Sequence, residues 1–364
     1  MKKNTDCKFL SRIAKLVFVL LVLSILVYIL AVNNVYVADF VNETVSVVFR
    51  YILAYATYIF PFSIFEMLLV LLPLILVLLV VIFIKAGSFA STRRRVIISL
   101  FAVASLIVTS YIFTLGVGYR TSTVSQKTGI EDKKDITAEE LYETTLIVRD
   151  ELAALAPLVE ESSGESIMPY SFDELNKLIV SAYDAMNDEY ALVTNFTSRA
   201  KPIYFSTVMS DLRIGGIYSF FTGEANVNME YPDYSLPYTV AHELAHQRGI
   251  CRENEANFVA FLVCIASDDV YIRYSGYLNL YEYLATALYS ADKDLYYEVI
   301  KGVPDIAKLD IIASNAVYNA HKDSWLGEWN DKANDAYLKL NGTQGNVTYG
   351  YVVRLAVGYY QNEK

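Results

Sequence analysis

Three long apolar runs separated by short polar stretches dominate the first 116 residues. Ala14 to Val32 reads AKLVFVLLVLSILVYILAV, with Lys15 at its edge and no charge after it. Phe62 to Ile84 carries one acid, Glu66, near its start, and the run from Val96 to about Gly116 carries no charge. About 20 apolar residues at a rise of ~1.5 Å cover a hydrocarbon core of roughly 30 Å. Residues 14–32, 62–84 and 96–116 are therefore expected to be three transmembrane helices. Pro73 would break a helix in water, but a membrane bundle tolerates a kink there. The first run is longer than the apolar part of a signal peptide, and no small-residue cleavage site closes it.

Past residue 116 the pattern changes. Residues 117–136 contain the polar, unpatterned stretch RTSTVSQKTGIEDKKD (120–135), which is expected to be a linker. Thr137-Ala138-Glu139-Glu140 and Ser171-Phe172-Asp173-Glu174 both fit the capping box, in which a hydroxyl and a carboxylate satisfy reciprocal free N–H groups. Helices are expected over 138–155 and 172–187. From Pro202 to Met229, β-branched and aromatic residues with Gly between them predict a small sheet. After Ser235 helical periodicity returns nearly to the end. The expected fold is α+β: a membrane anchor over 1–116, then a mostly helical domain over 137–364 with a small mixed sheet.

Composition supports this division. Hydrophobic residues make up 54% and charged residues 19%, against typical values of roughly 45–50% and 25%, which argues against a wholly soluble or disordered chain. Residues 1–116 hold ten Lys/Arg and four Asp/Glu, whereas 117–364 hold 20 and 36. So acidic a domain repels phosphate backbones, and nucleic acid is not an expected partner. Lys2, Lys3, Lys8, Arg12 and Lys15 precede the first run; Lys85, Arg93, Arg94 and Arg95 lie between the second and third. These basic sides are expected to be cytoplasmic. The segment from Asn33 to Pro61, which carries only Arg50, Asp39 and Glu43, is expected outside as a loop. The chain thus reads as a multi-pass protein of the cell membrane with the lipid bilayer as partner, its N-terminus cytoplasmic and its large domain extracytoplasmic. Cys7, Cys251 and Cys264 cannot make a disulfide framework, and the last two read as buried free thiols. The 30 tyrosines read as half-buried packing groups. Chance triplets at Asn195 and Asn341 carry no weight as glycosylation sites.

Histidine is scarce, three residues in all, yet two fall in His242-Glu243-Leu244-Ala245-His246. Residues four apart share a helical face, so both imidazoles of this HExxH pattern can meet one ion. Glu243 beside them is placed to take a proton from a metal-bound water. Zinc, one ion, suits two imidazoles and a carboxylate with a fourth position open. Ser235 and Pro237 mark a helix start before the pattern and Gly249 a place for it to end. The third ligand must come from the next element, where Glu253 and Glu255 are the candidates.

Glu253-x-x-Ala256-Asn257 resembles the ExxAD pattern of integral-membrane zinc peptidases of the gluzincin kind, with Asn in place of Asp. That resemblance implies Glu253 as the third ligand and Asn257 as the partner behind a ligand imidazole; Glu255 stays the alternative ligand by position alone. The six residues between His246 and Glu253 are fewer than gluzincins usually have. In metzincins the comparable spacing puts a His where Arg252 stands, and Arg does not ligate zinc. More widely, FTGEANVN (221–228), LPYTVAHELAHQRG (236–249) and ENEANF (253–258) resemble a bacterial family of unknown function with three N-terminal spans and an outer zincin-like domain. The resemblance further implies that Gly216 to Met229, with Gly223, Glu224, Ala225 and Asn226, is an edge strand for an extended substrate. Glu224 itself reads first as a surface acid and second as a cleft residue. His321 reads as a structural histidine rather than an oxyanion donor, and no tyrosine stands out for that role.

The function expected is that of a membrane-anchored zinc metallopeptidase hydrolysing peptide bonds of a protein or peptide substrate outside the cytoplasm. The alternative is a metal-containing extracytoplasmic binding or sensory module. Glu243 favours the enzyme, because a scaffold has no use for a general base there. An intramembrane protease is excluded: Ala256–Ala266 is too short to cross, and Tyr231, Asp233, Arg248 and Glu253 surround the pattern.

Overall fold

A computed structural model of the chain describes residues 2–85, 90–159, 164–343 and 349–362, without the side chains of 2–11, 90–91, 349 and 362. The side chains of Lys2, Lys3, Cys7 and Lys8, and residues 86–89 of the basic 86–95 stretch, lie outside the described residues. The chain forms two compact units. The first comprises Met1–Thr121 with Ser219–Glu224; the second comprises Ser122–Tyr218 with Ala225–Lys364.

The first unit is built from α1 (Lys2–Asn33), α2 (Val35–Glu43), α3 (Val45–Tyr58), α4 (Ile64–Lys85) and α5 (Ala90–Tyr111), the last continuing as a π-helical turn over Ile112–Gly116. Among the described residues, three helices are long and apolar enough to cross a membrane: Arg12–Asn33, Ile64–Lys85 and Thr92–Arg120. α4 continues through Pro73 and buries none of its residues within the protein. The end of the third run departs from expectation, because residues 112–116 are all buried. There Ile112 and Phe113 pack with Ala31, Ala38 and Val41 in a small core. The segment between the first two runs is not a loop but the helix pair α2–α3. The Asn34 side chain starts that pair by accepting the N–H groups of Tyr36 and Val37.

Glu224 is not the surface acid expected from the sequence. It is 1% exposed, and its carboxylate accepts the N–H groups of Ile64 and Phe65 at 2.9 and 2.7 Å. These are the first residues of α4, where unpaired N–H groups and the helix dipole favour an anion. Gly223 beside it has φ 71°, and a Cβ there would lie 2.5 Å from that of Leu53, so only glycine fits.

The second unit starts inside the stretch expected to be a linker. α6 (Val124–Thr128) has a complete capping box between Thr123 and Gln126, and Val124 and Ile130 are buried in the core. The polar text concealed this because its side chains serve as caps while two apolar residues make the anchorage. α7 (Ala138–Val159) begins with the reciprocal Thr137–Glu140 bonds, as expected, and runs four residues further than 155. α8 (Phe172–Tyr190) begins where the Ser171 hydroxyl accepts the Glu174 N–H, and ends at Ala191 with φ 47°.

β1 (Ala200–Ile203), α9 (Ser206–Asp211), β2 (Gly216–Ser219) and β3 (Glu224–Asn228) follow, and the three strands form one sheet in the order β1-β3-β2. β1 and β3 are parallel, with Ala200 opposite Ala225 and Ile203 opposite Asn228. β2 and β3 form a hairpin, Asn228 N–H donating to Gly215 and Gly223 N–H to Ser219. This corrects the assignment of 223–226 to an edge strand. β3 is central because β1 pairs along its other side, and β1 and β2 are the two edges. The rest is helical: α10 (Ser235–Gln247), α11 (Glu253–Ile265), α12 (Val270–Ala291), α13 (Lys293–Ile300), α14 (Asp305–His321), α15 (Trp325–Leu340) and α16 (Tyr349–Asn362). α10, α11 and α12 pack together around Val240, Leu244, Phe258, Phe261 and Leu278, all fully buried. Cys251 and Cys264 are buried, as expected, the Cys251 thiol donating to the Gly249 carbonyl.

Candidate metal centre

α10 starts at Ser235 with Pro237 in its first turn, where a missing N–H costs no helical bond. Leu236, Val240 and Leu244 seat one face in the core. Arg248, 2% exposed, anchors the other end: it donates to Asn195 Oδ1 at 2.7 Å and to the Phe196 carbonyl at 3.0 Å, and lies 4.3 Å from the Tyr183 ring centre. Tyr183 in turn donates to the Ala241 carbonyl at 2.6 Å. α10 is thereby fixed at both ends of the HExxH pattern.

A tight connection then turns the chain back. Gly249 has φ 98°, Gly249 N–H bonds to the His246 carbonyl, and Ile250 N–H bonds to the Ala245 carbonyl. Glu253 emerges as the first residue of α11. The short gap therefore suffices, because the turn returns Glu253 directly to the histidine face. His242 Nε2 and His246 Nε2 are 3.1 Å apart, and Glu253 Oε2 lies 3.4 Å from the first and 3.5 Å from the second. Among the described residues this is the group of three His, Cys, Asp or Glu side chains whose donor atoms converge closely enough for one metal ion.

Electrostatics favours a cation between these atoms. His246 Nδ1 lies 2.8 Å from the Ile250 carbonyl, which can only accept. The ring must therefore carry a proton on Nδ1, so the neutral imidazole turns its Nε2 lone pair toward the cluster. Burial, the largest influence, would lower the pKa of His246, but the charge and hydrogen bond of Glu253, with Glu243 and the Ile250 carbonyl, together push the value up to about 9. Burial would likewise raise Glu253, yet the two imidazoles hold it well below the usual carboxylate range. A proton on His246 is thus stabilised by the Glu253 carboxylate, and any metal ion at these atoms would have to displace it.

Glu243 is buried, with Oε1 4.0 Å from His242 Nε2 and Oε2 without a hydrogen-bond partner among the described residues. Burial raises its pKa to about 7 against the pull of both imidazoles. The backbone of Gly216 in β2 closes over it, and a Cβ at that position would fall 2.5 Å from Oε1.

Two expectations for neighbouring residues are corrected. Glu255 turns away from the histidines; it pairs with Arg252 at 3.0 Å and accepts the Val124 N–H at 3.1 Å, tying α11 to α6. Asn257 holds neither imidazole: the Ile250 carbonyl takes Nδ1 of His246, and His242 Nδ1 is buried without a partner among the described residues. The short turn has substituted a backbone carbonyl for the expected side chain. His321 bonds Asp211 at 2.8 Å through Nδ1 and Glu230 at 3.3 Å through Nε2, which leaves neither ring nitrogen to meet a substrate. Sequence reading put Gly216 in the substrate strand but missed its close approach to Glu243, and it missed Ile250; both act through backbone atoms and leave no side-chain pattern. Asn195, inside a glycosylation triplet, instead accepts from buried Arg248.

No curated protein and no solved structure matches the chain at a significant level. Residues 41–357 match the family model described as "Protein of unknown function (DUF3810)", and the chain belongs to that family.

Proposed function

We propose that this protein is a membrane-anchored zinc metallopeptidase whose zincin-like outer domain hydrolyses peptide bonds outside the cytoplasm. The supporting observation is the triangle of His242, His246 and Glu253 donor atoms, with sides of 3.1, 3.4 and 3.5 Å, beside the buried Glu243. Donors at ~2.0–2.1 Å from a tetrahedral zinc ion stand ~3.3 Å apart, and three protein donors leave the fourth position open. When bound, zinc supplies Lewis acidity to the scissile carbonyl and to the attacking water.

The chain's own residues account for the proton. Glu243 takes a proton from the attacking water as its oxygen adds to the carbonyl carbon, then returns it to the amide nitrogen as the C–N bond breaks. Gly216 and the β2 backbone cover Glu243 and hold its carboxylate out of bulk water. β2 is the edge strand that approaches Glu243, so it is the one to which an extended peptide would add.

The reading is tested on the full-length chain in detergent, by elemental analysis for zinc and by hydrolysis of a peptide library. One zinc per chain is expected, most of it lost in Glu253→Gln and retained in Glu255→Gln. Hydrolysis should stop with a chelator and return with added zinc. Zinc lost from the second variant but kept by the first would overturn the ligand assignment; hydrolysis indifferent to chelation would overturn the peptidase.

A further inference from the structure

In the first unit, α3 has its polarity reversed relative to a helix in water. Its one charged residue, Arg50, is 1% exposed and donates to Asn42 Oδ1 at 2.8 Å and to the Asn42 carbonyl at 2.7 Å. Ser46 and Ala54, four residues to either side, are buried on the same face. The outward face carries Val48, Tyr51, Ile52, Tyr55 and Tyr58, continued by Ile59 just past the helix end, with Tyr55 60% and Ile59 74% exposed. No charge interrupts it. The Tyr51, Tyr55 and Tyr58 rings form a ladder, with centroids 5.7 and 6.4 Å apart and planes within 14°.

Chain continuity fixes where this face can be. Asn34 alone separates α1 from α2, and residues 59–63 alone separate α3 from α4; six steps of extended chain reach no more than ~20 Å. Phe49 stacks on Phe113, in the π-helical turn at the end of the third apolar run, at 4.5 Å and 18°. α3 is therefore held beside the ends of all three apolar helices. So large an apolar surface is costly in water. In lipid, an inward paired arginine and outward aliphatic groups are the arrangement required. Tyrosine prefers the boundary, where its ring meets acyl chains and its hydroxyl meets headgroups.

We infer that α3 is an interfacial membrane helix, whose tyrosine-bearing face lies in the headgroup and upper acyl region of a phospholipid bilayer where the first span ends and the second begins. The segment expected as an outside loop is thus a fourth membrane contact, which lies in the plane and does not cross it. This conclusion rests on the apolar helices and is independent of the metal centre.

Tryptophan fluorescence of the full chain in phosphatidylcholine vesicles tests it. Trp325 and Trp329 are first replaced by Phe, and one reporter is introduced as Tyr55→Trp or, in a second variant on the same face, Ile52→Trp. A cooperative thermal transition shows that each variant is folded. Lipid brominated in the upper acyl chain should reduce emission by about twofold or more, and aqueous iodide should quench less than about a fifth as well as it quenches free tryptophan. Strong iodide quenching with no effect of brominated lipid would overturn the inference. So would protection from both quenchers in a chain that runs as a dimer, because another protein copy would then cover the face.

Discussion

Gly216 and Glu243 set a distance that no larger residue permits. A methyl group at 216 would overlap Oε1, Cγ and Cδ of Glu243 at 2.5 to 2.8 Å. Because the carboxylate lies between the helix and the strand, it must move outward or the strand must lift. If Glu243 is the general base proposed above, Gly216→Ala should leave zinc content unchanged and lower kcat/KM by about 10- to 100-fold, the scale expected when a reacting group is displaced. Equal kcat/KM in the two proteins would show that this contact does not position Glu243. At this scale the sequence carried the side-chain chemistry well: the i, i+4 histidines and the following carboxylates were visible as a pattern. It could not carry the backbone contributions. The Ile250 carbonyl that orients His246 and the close approach of Gly216 depend on where the chain turns, not on side-chain type.

Helix ends explain most of what the individual elements do. The Thr137 and Ser171 starts were legible because capping is local, needing only residues three apart. Sheet order was not, because β1 pairs with β3 across more than twenty residues and nothing in either strand names its neighbour. Glu224 is the extreme case, capping α4 from 160 residues away. His321 closes α14 in a related way, its ring held between Asp211 and Glu230 at the helix's C-terminal end, where a positive charge is also favoured by the dipole. The bond to Asp211 raises its pKa most; burial opposes it, and the bond to Glu230 and the two carboxylate charges add to the rise. A pKa raised on folding means that the stabilisation is fully present below the unfolded value of about 6.5 and is lost as pH rises through the folded value. Thermal midpoints of the wild type and His321→Gln should thus differ most near pH 5–6 and converge on the alkaline side. A difference that grows with pH would contradict this account.

Across the whole molecule, the three apolar helices and the change in charge after residue 116 were plain in the sequence because membrane insertion depends on length and composition, which need no tertiary information. The unit boundary was misplaced, since Val124 and Ile130 anchor an otherwise polar stretch that reads as linker. The distribution of Lys and Arg places the second unit outside the cytoplasm in the proposed reading. Protease added to intact cells should then digest the region from 122 onward; protection there, with cleavage within 86–95, would reverse the orientation. Glu243 carries the proposed chemistry, and its role is decided by comparing zinc content and peptide hydrolysis of the full chain with those of Glu243→Gln at neutral pH. The variant should keep its zinc and thermal midpoint while hydrolysis falls by a factor on the order of 10² to 10⁴, the usual contribution of a positioned acid–base group. Equal hydrolysis by the two proteins, or none by a wild type with its zinc bound, would contradict the assignment of a peptidase to this site.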